Sequence, residues 1–171
     1  MSAVRVAVVV GNPRPQSRTL AAATYLATEL AGHEPDTVAD LAQLGARLLD
    51  WEDDLVASLV AEVGAADLVV VASPTYKGTY TGLLKLFLDR FRTDGLRGVA
   101  VPLMLGGGLA HALAPELTLR PVLTEIGGIV PAKGLFVVDS AHDDPSAYAH
   151  WLEIARPVIT AILESRTGVT A

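Results

Sequence analysis

The sequence predicts an α/β fold: a five-stranded parallel sheet in the order 2-1-3-4-5, with helices on both faces in a three-layer, doubly wound sandwich. Three observations predict it. Apolar, β-branched runs recur along the chain without the alternation of a half-exposed strand, as strands buried on both faces require. Segments with helical spacing separate these runs, and strand–helix alternation means parallel strands joined by right-handed crossovers. Glycine and proline clusters follow the strands, where a doubly wound sheet keeps its ligand crevice.

Each element has its own warrant. Residues 4–10, Val-Arg-Val-Ala-Val-Val-Val, run into Gly11-Asn12-Pro13 and predict the first strand. Ser17 is a good N-cap for a helix in which Leu20, Ala23, Ala27 and Leu30 recur until Gly32 stops it. A short strand is expected near Asp36 to Asp40, then a helix through Asp53 to Ala65 with Leu55, Leu59 and Val63 on its packed side. Asp67 to Ala72 repeats the buried-strand pattern and Ser73-Pro74 breaks it. Gly82 to Phe91 is then helical through Leu83, Leu84, Phe87, Leu88 and Phe91. Gly98 to Leu105 and Gly134 to Val138 supply the last two strands, with a helix up to Ile126 between them and a closing helix from about Ser146 to Glu164.

Composition narrows the function. The chain has 171 residues, 51% of them hydrophobic, and suits a single domain over residues 1–171, with no linker, repeat or low-complexity tract to mark a second. Thirteen Lys and Arg against nineteen Asp and Glu give a net charge of −6 with no basic run, which argues against a nucleic-acid partner. Cysteine is absent, which excludes disulfides, thiol nucleophiles, thiolate metal sites and Fe–S ligation, so redox chemistry here depends on a bound cofactor. Residues 4–10 are too short for a membrane span and lack a signal peptide's cleavage pattern, so no membrane association and a cytoplasmic location are expected. His33, His142 and His150 form no ligand pair, and no metal is expected. No Gly-x-Ser-x-Gly elbow supports a hydrolase.

Function is expected in three loops at the carboxyl ends of strands one, three and four, beside the switch point between strands one and three. The first, Gly11 to Thr19, joins a buried strand to a helix N-terminus whose free N–H groups and dipole favour a phosphate; Arg14, Ser17, Arg18 and Thr19 complete an anion cradle. It matches neither a Walker A loop nor Gly-x-Gly-x-x-Gly, which leaves a terminal phosphate as its ligand. Its plainer reading is a capped helix behind a stiff turn with solvated arginines. The second loop brings Pro74, Thr75, Tyr76, Lys77 and Gly78 beside the crevice, offering backbone donors and acceptors, an aromatic face and close approach to a flat ring. Read plainly, it is a turn whose tyrosines cap the core and whose Lys77 is solvated. In the third, Gly107 and Gly108 permit backbone approach, and His111 is a candidate hydrogen-bonding group, against its plainer role as a cap or neutral surface residue.

Together these loops resemble those of the NADPH-dependent FMN reductases. The resemblance rests on Gly11-Asn-Pro-Arg14, Ser17-Arg-Thr19 and Ser73-Pro-Thr-Tyr-Lys77 and on the spacing between them. Tyr80-Thr-Gly-Leu-Leu-Lys85, Gly106-Gly-Gly-Leu-Ala-His111 and Leu119-Arg-Pro-Val-Leu123 look like the branch that supplies reduced FMN to alkanesulfonate monooxygenases. The resemblance implies a flavodoxin-like fold and FMN phosphate at Arg14, Ser17 and Thr19. It also implies ring contacts at Pro74, Thr75, Tyr76 and Lys77, further contacts near Gly107 and His111, NADPH or NADH as reductant, and homodimers or homotetramers. Where that branch often carries an Asp-Tyr pair in the fourth helix, this chain reads Ala114-Pro115-Glu116-Leu117, and Pro115, lacking an N–H, predicts a helix that starts near it or is locally irregular.

The activity so implied is hydride transfer from the nicotinamide to FMN, with reduced flavin passing to a partner monooxygenase. Two alternatives stay open: a reductase that keeps its FMN and acts on quinones or azo dyes, and a flavodoxin-like electron carrier with no nicotinamide site. The arginines of the first loop count against the carrier, because flavodoxin phosphate loops are rich in Thr, Ser and Gly and lack basic residues.

Overall fold

Every residue of the first strand is buried, which is why its sequence shows no alternation: neighbouring side chains enter two different cores, one on each side of a single sheet. The computed structural model describes residues 4–167; residues 1–3 and 168–171, the ends of the expected domain, lie outside the described residues. The strands are β1 (Val6–Val10), β2 (Thr37–Asp40), β3 (Leu68–Pro74), β4 (Val99–Gly106) and β5 (Leu135–Val138). They pair in parallel in the expected order β2-β1-β3-β4-β5. On one face, α1 (Arg18–Ala31) and α5 (Ser146–Thr167) cover Val6, Val8, Val10, Val70 and Val101. On the other, α2 (Asp54–Ala65), α3 (Gly82–Leu88) and α4 (Arg120–Glu125) cover Ala7, Val9, Val69 and Val71. Each fully buried valine contributes roughly 1.5–3 kcal/mol relative to an exposed one, and the helices add Leu26, Phe87 and Tyr148 to the same two cores.

Helix α1 follows its sequence signals. Ser17 Oγ accepts a hydrogen bond from Leu20 N at 3.2 Å, and Gly32 closes the helix at φ 79°. Its buried stripe is Thr19, Ala22, Ala23, Leu26, Ala27 and Leu30, with alanines that let the helix lie close to the sheet; Leu20 is only half-buried at the margin. In α2, Asp53 is the N-cap, accepting from Val56 N at 3.0 Å, but the packed side differs from the expected one. Val56 and Val63 are buried, Leu59 is half-buried and Leu55 is 46% exposed. With apolar residues at 55, 56, 59, 60 and 63, two adjacent helix faces satisfy the same pattern, and the surface beneath selects one.

Helix α3 ends at Leu88, short of the expected Phe91, because Arg90 N and Phe91 N bond to carbonyls three residues back and tighten the last turn. Phe91 is still packed, its ring edge-on to that of Phe87 with centroids 5.5 Å apart. The irregularity expected at Pro115 is a π-turn over Pro115–Leu119, in which Arg120 N bonds to Pro115 O five residues back. Proline stands at its first position, where no N–H is required.

One register detail shapes the crevice. β1 stops at Val10, opposite Ala72, whereas β3 continues through Ser73 and Pro74 along β4. The expected break at Ser73-Pro74 is therefore the end of the strand itself. Past Ala72 one edge of β3 is free, so the missing N–H of Pro74 removes no ladder bond. There the chain leaves β1 for a helix on one face and β3 for a helix on the other, and a gap opens between them.

Candidate flavin site

The gap is held by buried polar contacts. Gly11 N donates to Ala72 O at 2.8 Å, and Thr81 Oγ1 donates to Gly11 O at 2.6 Å while accepting from Leu84 N at 3.1 Å. Ser73 Oγ, fully buried, accepts from Thr81 N at 3.0 Å. Gly11 lies so close to α3 that an added Cβ would stand 2.4 Å from Leu84 Cβ. The first loop, the end of β3 and the start of α3 thus form one unit.

The first loop is shaped by side chains folding back on it. Asn12 Oδ1 accepts from Arg14 N at 2.9 Å, and Asn12 Nδ2 donates to Thr19 Oγ1 at 2.9 Å. Gln16 adopts φ 50°, a left-handed conformation held by its N–H donating to the buried Asp40 carboxylate at 3.1 Å. The loop therefore presents Arg14 outward and exposes the start of α1, where the N–H groups of Arg18 and Thr19 have no carbonyl one turn earlier.

The second loop is a tight turn in which Tyr76 and Thr79 exchange N–H to C=O bonds at 2.9 and 3.3 Å. Lys77 (φ 54°) and Gly78 (φ 83°) occupy its two central positions, both left-handed as in a type I′ turn. Thr75 N donates to Leu105 O at 2.7 Å, which fixes the turn to the end of β4. Tyr76 is 51% exposed, its ring available to a ligand. Asp139, immediately after β5, forms an ion pair with Arg18 across the opening.

These parts enclose a crevice of about 550 Å³, within the size of a cofactor site. It brings together Arg14, Ser17, Arg18, Pro74, Thr75, Tyr76 and Gly107 of the expected site residues. The other expected residues do not line it. Thr19 is buried and supports the loop through Asn12, and Lys77 points from the turn into solvent. Gly108 is exposed and leads into the next turn. Gly78 and His111 line a neighbouring hollow, where a Cβ on Gly78 would stand 3.8 Å from the imidazole. Asn12, Pro15, Gln16, Leu105, Gly106 and Asp139 also line the crevice, outside the expected site residues. Asn-Pro is an Asx-turn signal, and Asp139 ends a strand at the ligand edge of the sheet, so both had a legible cue; the Gln16 brace to Asp40 had none.

A phosphate-bearing flat molecule fits this donor set. Thr75 lines the crevice, and its Oγ1 is shielded from solvent without a hydrogen-bond partner among the described residues. The helix start and two arginines provide for the anion, and Pro74 and Tyr76 provide a wall for a ring.

Fold and crevice together define a flavodoxin-like redox domain. The profile described as NADPH-dependent FMN reductase matches residues 4–143, and the chain belongs to that family. It is an oxidoreductase using FMN and a nicotinamide nucleotide. The chain is 30% identical over 168 residues to the FMN reductase (NADPH) of Escherichia coli, covering 95% of this chain and 84% of that protein. It is 36% identical over 151 residues to the NADH-dependent FMN reductase SfnF of Pseudomonas fluorescens, covering 81% and 78%. The apo crystal structure of an NADH:FMN oxidoreductase superposes with a TM-score of 0.80 at 30% identity, over 95% of this chain and 89% of that one.

Proposed function

We propose that residues 1–171 act as one reductase domain that takes FMN from solution, reduces it with NADPH or NADH, and releases it to a flavin-dependent monooxygenase. The observation that carries the reading is the open crevice between β1 and β3, with a cradle for one anion on one side and an aromatic wall on the other. FMN, when bound, supplies the ring that accepts hydride. The chain's own residues hold and orient it. Arg14, Arg18, Ser17 and the first amides of α1 take the phosphate, the Thr75 hydroxyl supplies a hydrogen bond, and Pro74, Tyr76 and the turn at Lys77 and Gly78 position the ring. Gly107 lines the crevice from the β4 side, Gly108 and His111 follow it in the chain as further contacts, and Thr19 supports the cradle through Asn12. The exposed mouth, with Tyr76 half in solvent, favours exchange over retention.

The same reading assigns the apolar segment after β4 to a homodimer or homotetramer contact. Leu109, Leu113 and Leu117 are 73%, 52% and 67% exposed and line one hollow with His111. Among the described residues no helix is long and apolar enough to cross a membrane, and the proposed place of action is the cytoplasm. The test follows NADPH and NADH oxidation by purified protein with and without added FMN. Activity that requires added FMN, from a protein that elutes colourless, is expected. A protein that keeps its flavin through gel filtration and consumes the nucleotide only when a quinone or azo dye is present would overturn the diffusible-flavin reading.

A further inference from the structure

The two arginines of the phosphate cradle are not equivalent. Among the described residues Arg14 forms no ion pair, and its backbone alone is tied, to Asn12. Arg18 is paired with Asp139, a residue 121 positions away at the far end of the sheet, and both side chains line the same crevice. The pair is 61% and 40% exposed, so water screens it and it is readily exchanged.

We propose that Asp139 is a built-in competitor for the ligand's phosphate, which holds Arg18 while the crevice is free of flavin and keeps FMN affinity low enough for turnover as a substrate. The inference rests on the reading of the first loop as the phosphate site. A phosphate monoester carries about −1.5 to −2 charges at neutral pH and accepts paired hydrogen bonds from a guanidinium. To gain Arg18 it displaces the Asp139 carboxylate, and that carboxylate then remains at the rim as an uncompensated like charge, well within the ~8 Å screening length of physiological salt. The cradle thus offers one positive charge net of Asp139 where its arginines alone would offer two. Asp40, the other carboxylate near the loop, lies outside the crevice lining; its Oδ2 accepts from Gln16 N and Gln43 Nε2, at 3.1 and 3.4 Å, and its buried Oδ1 has no hydrogen-bond partner among the described residues.

The test titrates FMN and riboflavin, which lacks the phosphate, into wild-type protein, Asp139→Asn, Asp139→Ser and Arg14→Ala, reading flavin fluorescence and stopped-flow dissociation. Both Asp139 variants are expected to bind FMN about 1.5- to fivefold tighter, with slower FMN release and unchanged riboflavin binding. If the Asp139 variants leave FMN affinity unchanged while Arg14→Ala weakens it, the competitor role is overturned and the phosphate site stands. Should they weaken FMN and riboflavin alike, Asp139 binds the ligand directly, which also overturns it. If wild type does not distinguish FMN from riboflavin and Arg14→Ala has no effect, the phosphate-site reading itself fails.

Discussion

Arg14 reaches the crevice because Asn12 folds its side chain over the following turn, so a short polar residue sets the direction of a long charged one. A charge-assisted contact to phosphate is worth about 1.5–3 kcal/mol. Arg14→Ala is therefore expected to raise the FMN dissociation constant roughly 10- to 150-fold in a fluorescence titration; an unchanged constant would move the phosphate elsewhere. A second residue gives a pH signature. Tyr148 is buried, donates to His142 O at 2.5 Å and packs edge-on to Tyr25 with ring centroids 4.8 Å apart. Burial pushes its phenol up to about 12, so the folded state keeps a proton that the unfolded chain releases near 10. Its stabilisation is complete below that lower value and is lost as pH rises through the window between them. Thermal unfolding is expected to weaken over this alkaline window. Tyr148→Phe should flatten part of that fall while costing about 1 kcal/mol at neutral pH; a variant that parallels wild type across the window would refute the assignment. Asn12 was legible as a turn former, since its partners Arg14 and Thr19 are local, whereas Tyr148 did not stand out, because its importance lies in what the fold places against it.

Elements were legible where their signals are local. Ser17 and Gly32 bracket α1 within one stretch of chain, and the continuous apolar runs of β1 and β3 announce strands covered on both sides. Pro115 announced irregularity because its ring and missing N–H act wherever it stands, although only the fold makes that irregularity a π-turn. Thr81 was invisible as an anchor: it lies among tyrosines and glycines, and its partner Gly11 is 70 residues away. It caps α3 and holds the first loop with the same hydroxyl. Thr81→Val is expected to lower stability by about 1–2 kcal/mol in urea denaturation and also to weaken FMN binding, since the loop loses its tether. A stability loss with undiminished flavin affinity would mean that the loop holds its shape without α3.

At the scale of the whole molecule, parallel pairing followed from alternation, the order from the common doubly wound arrangement of five strands, and the crevice from the switch point that this order creates. The contact across the mouth of the crevice was not legible, because the Arg18–Asp139 pair joins residues that meet only once five strands are assembled. The exposed leucines at 109, 113 and 117 are a molecular-scale feature too, apolar surface that the monomer leaves uncovered. Leu117→Asp is expected to shift the protein toward monomer in light scattering after gel filtration; an unchanged mass would place any subunit contact on another face. In the proposed reading one crevice holds FMN, with its phosphate at the start of α1 and its ring at the turn after β3. A crystal structure of the protein with FMN decides it. Phosphate density is expected beside Arg14, Ser17 and Arg18 and a flat ring against Pro74, Thr75 and Tyr76, whereas flavin bound at any other surface, with this crevice empty, would contradict the reading.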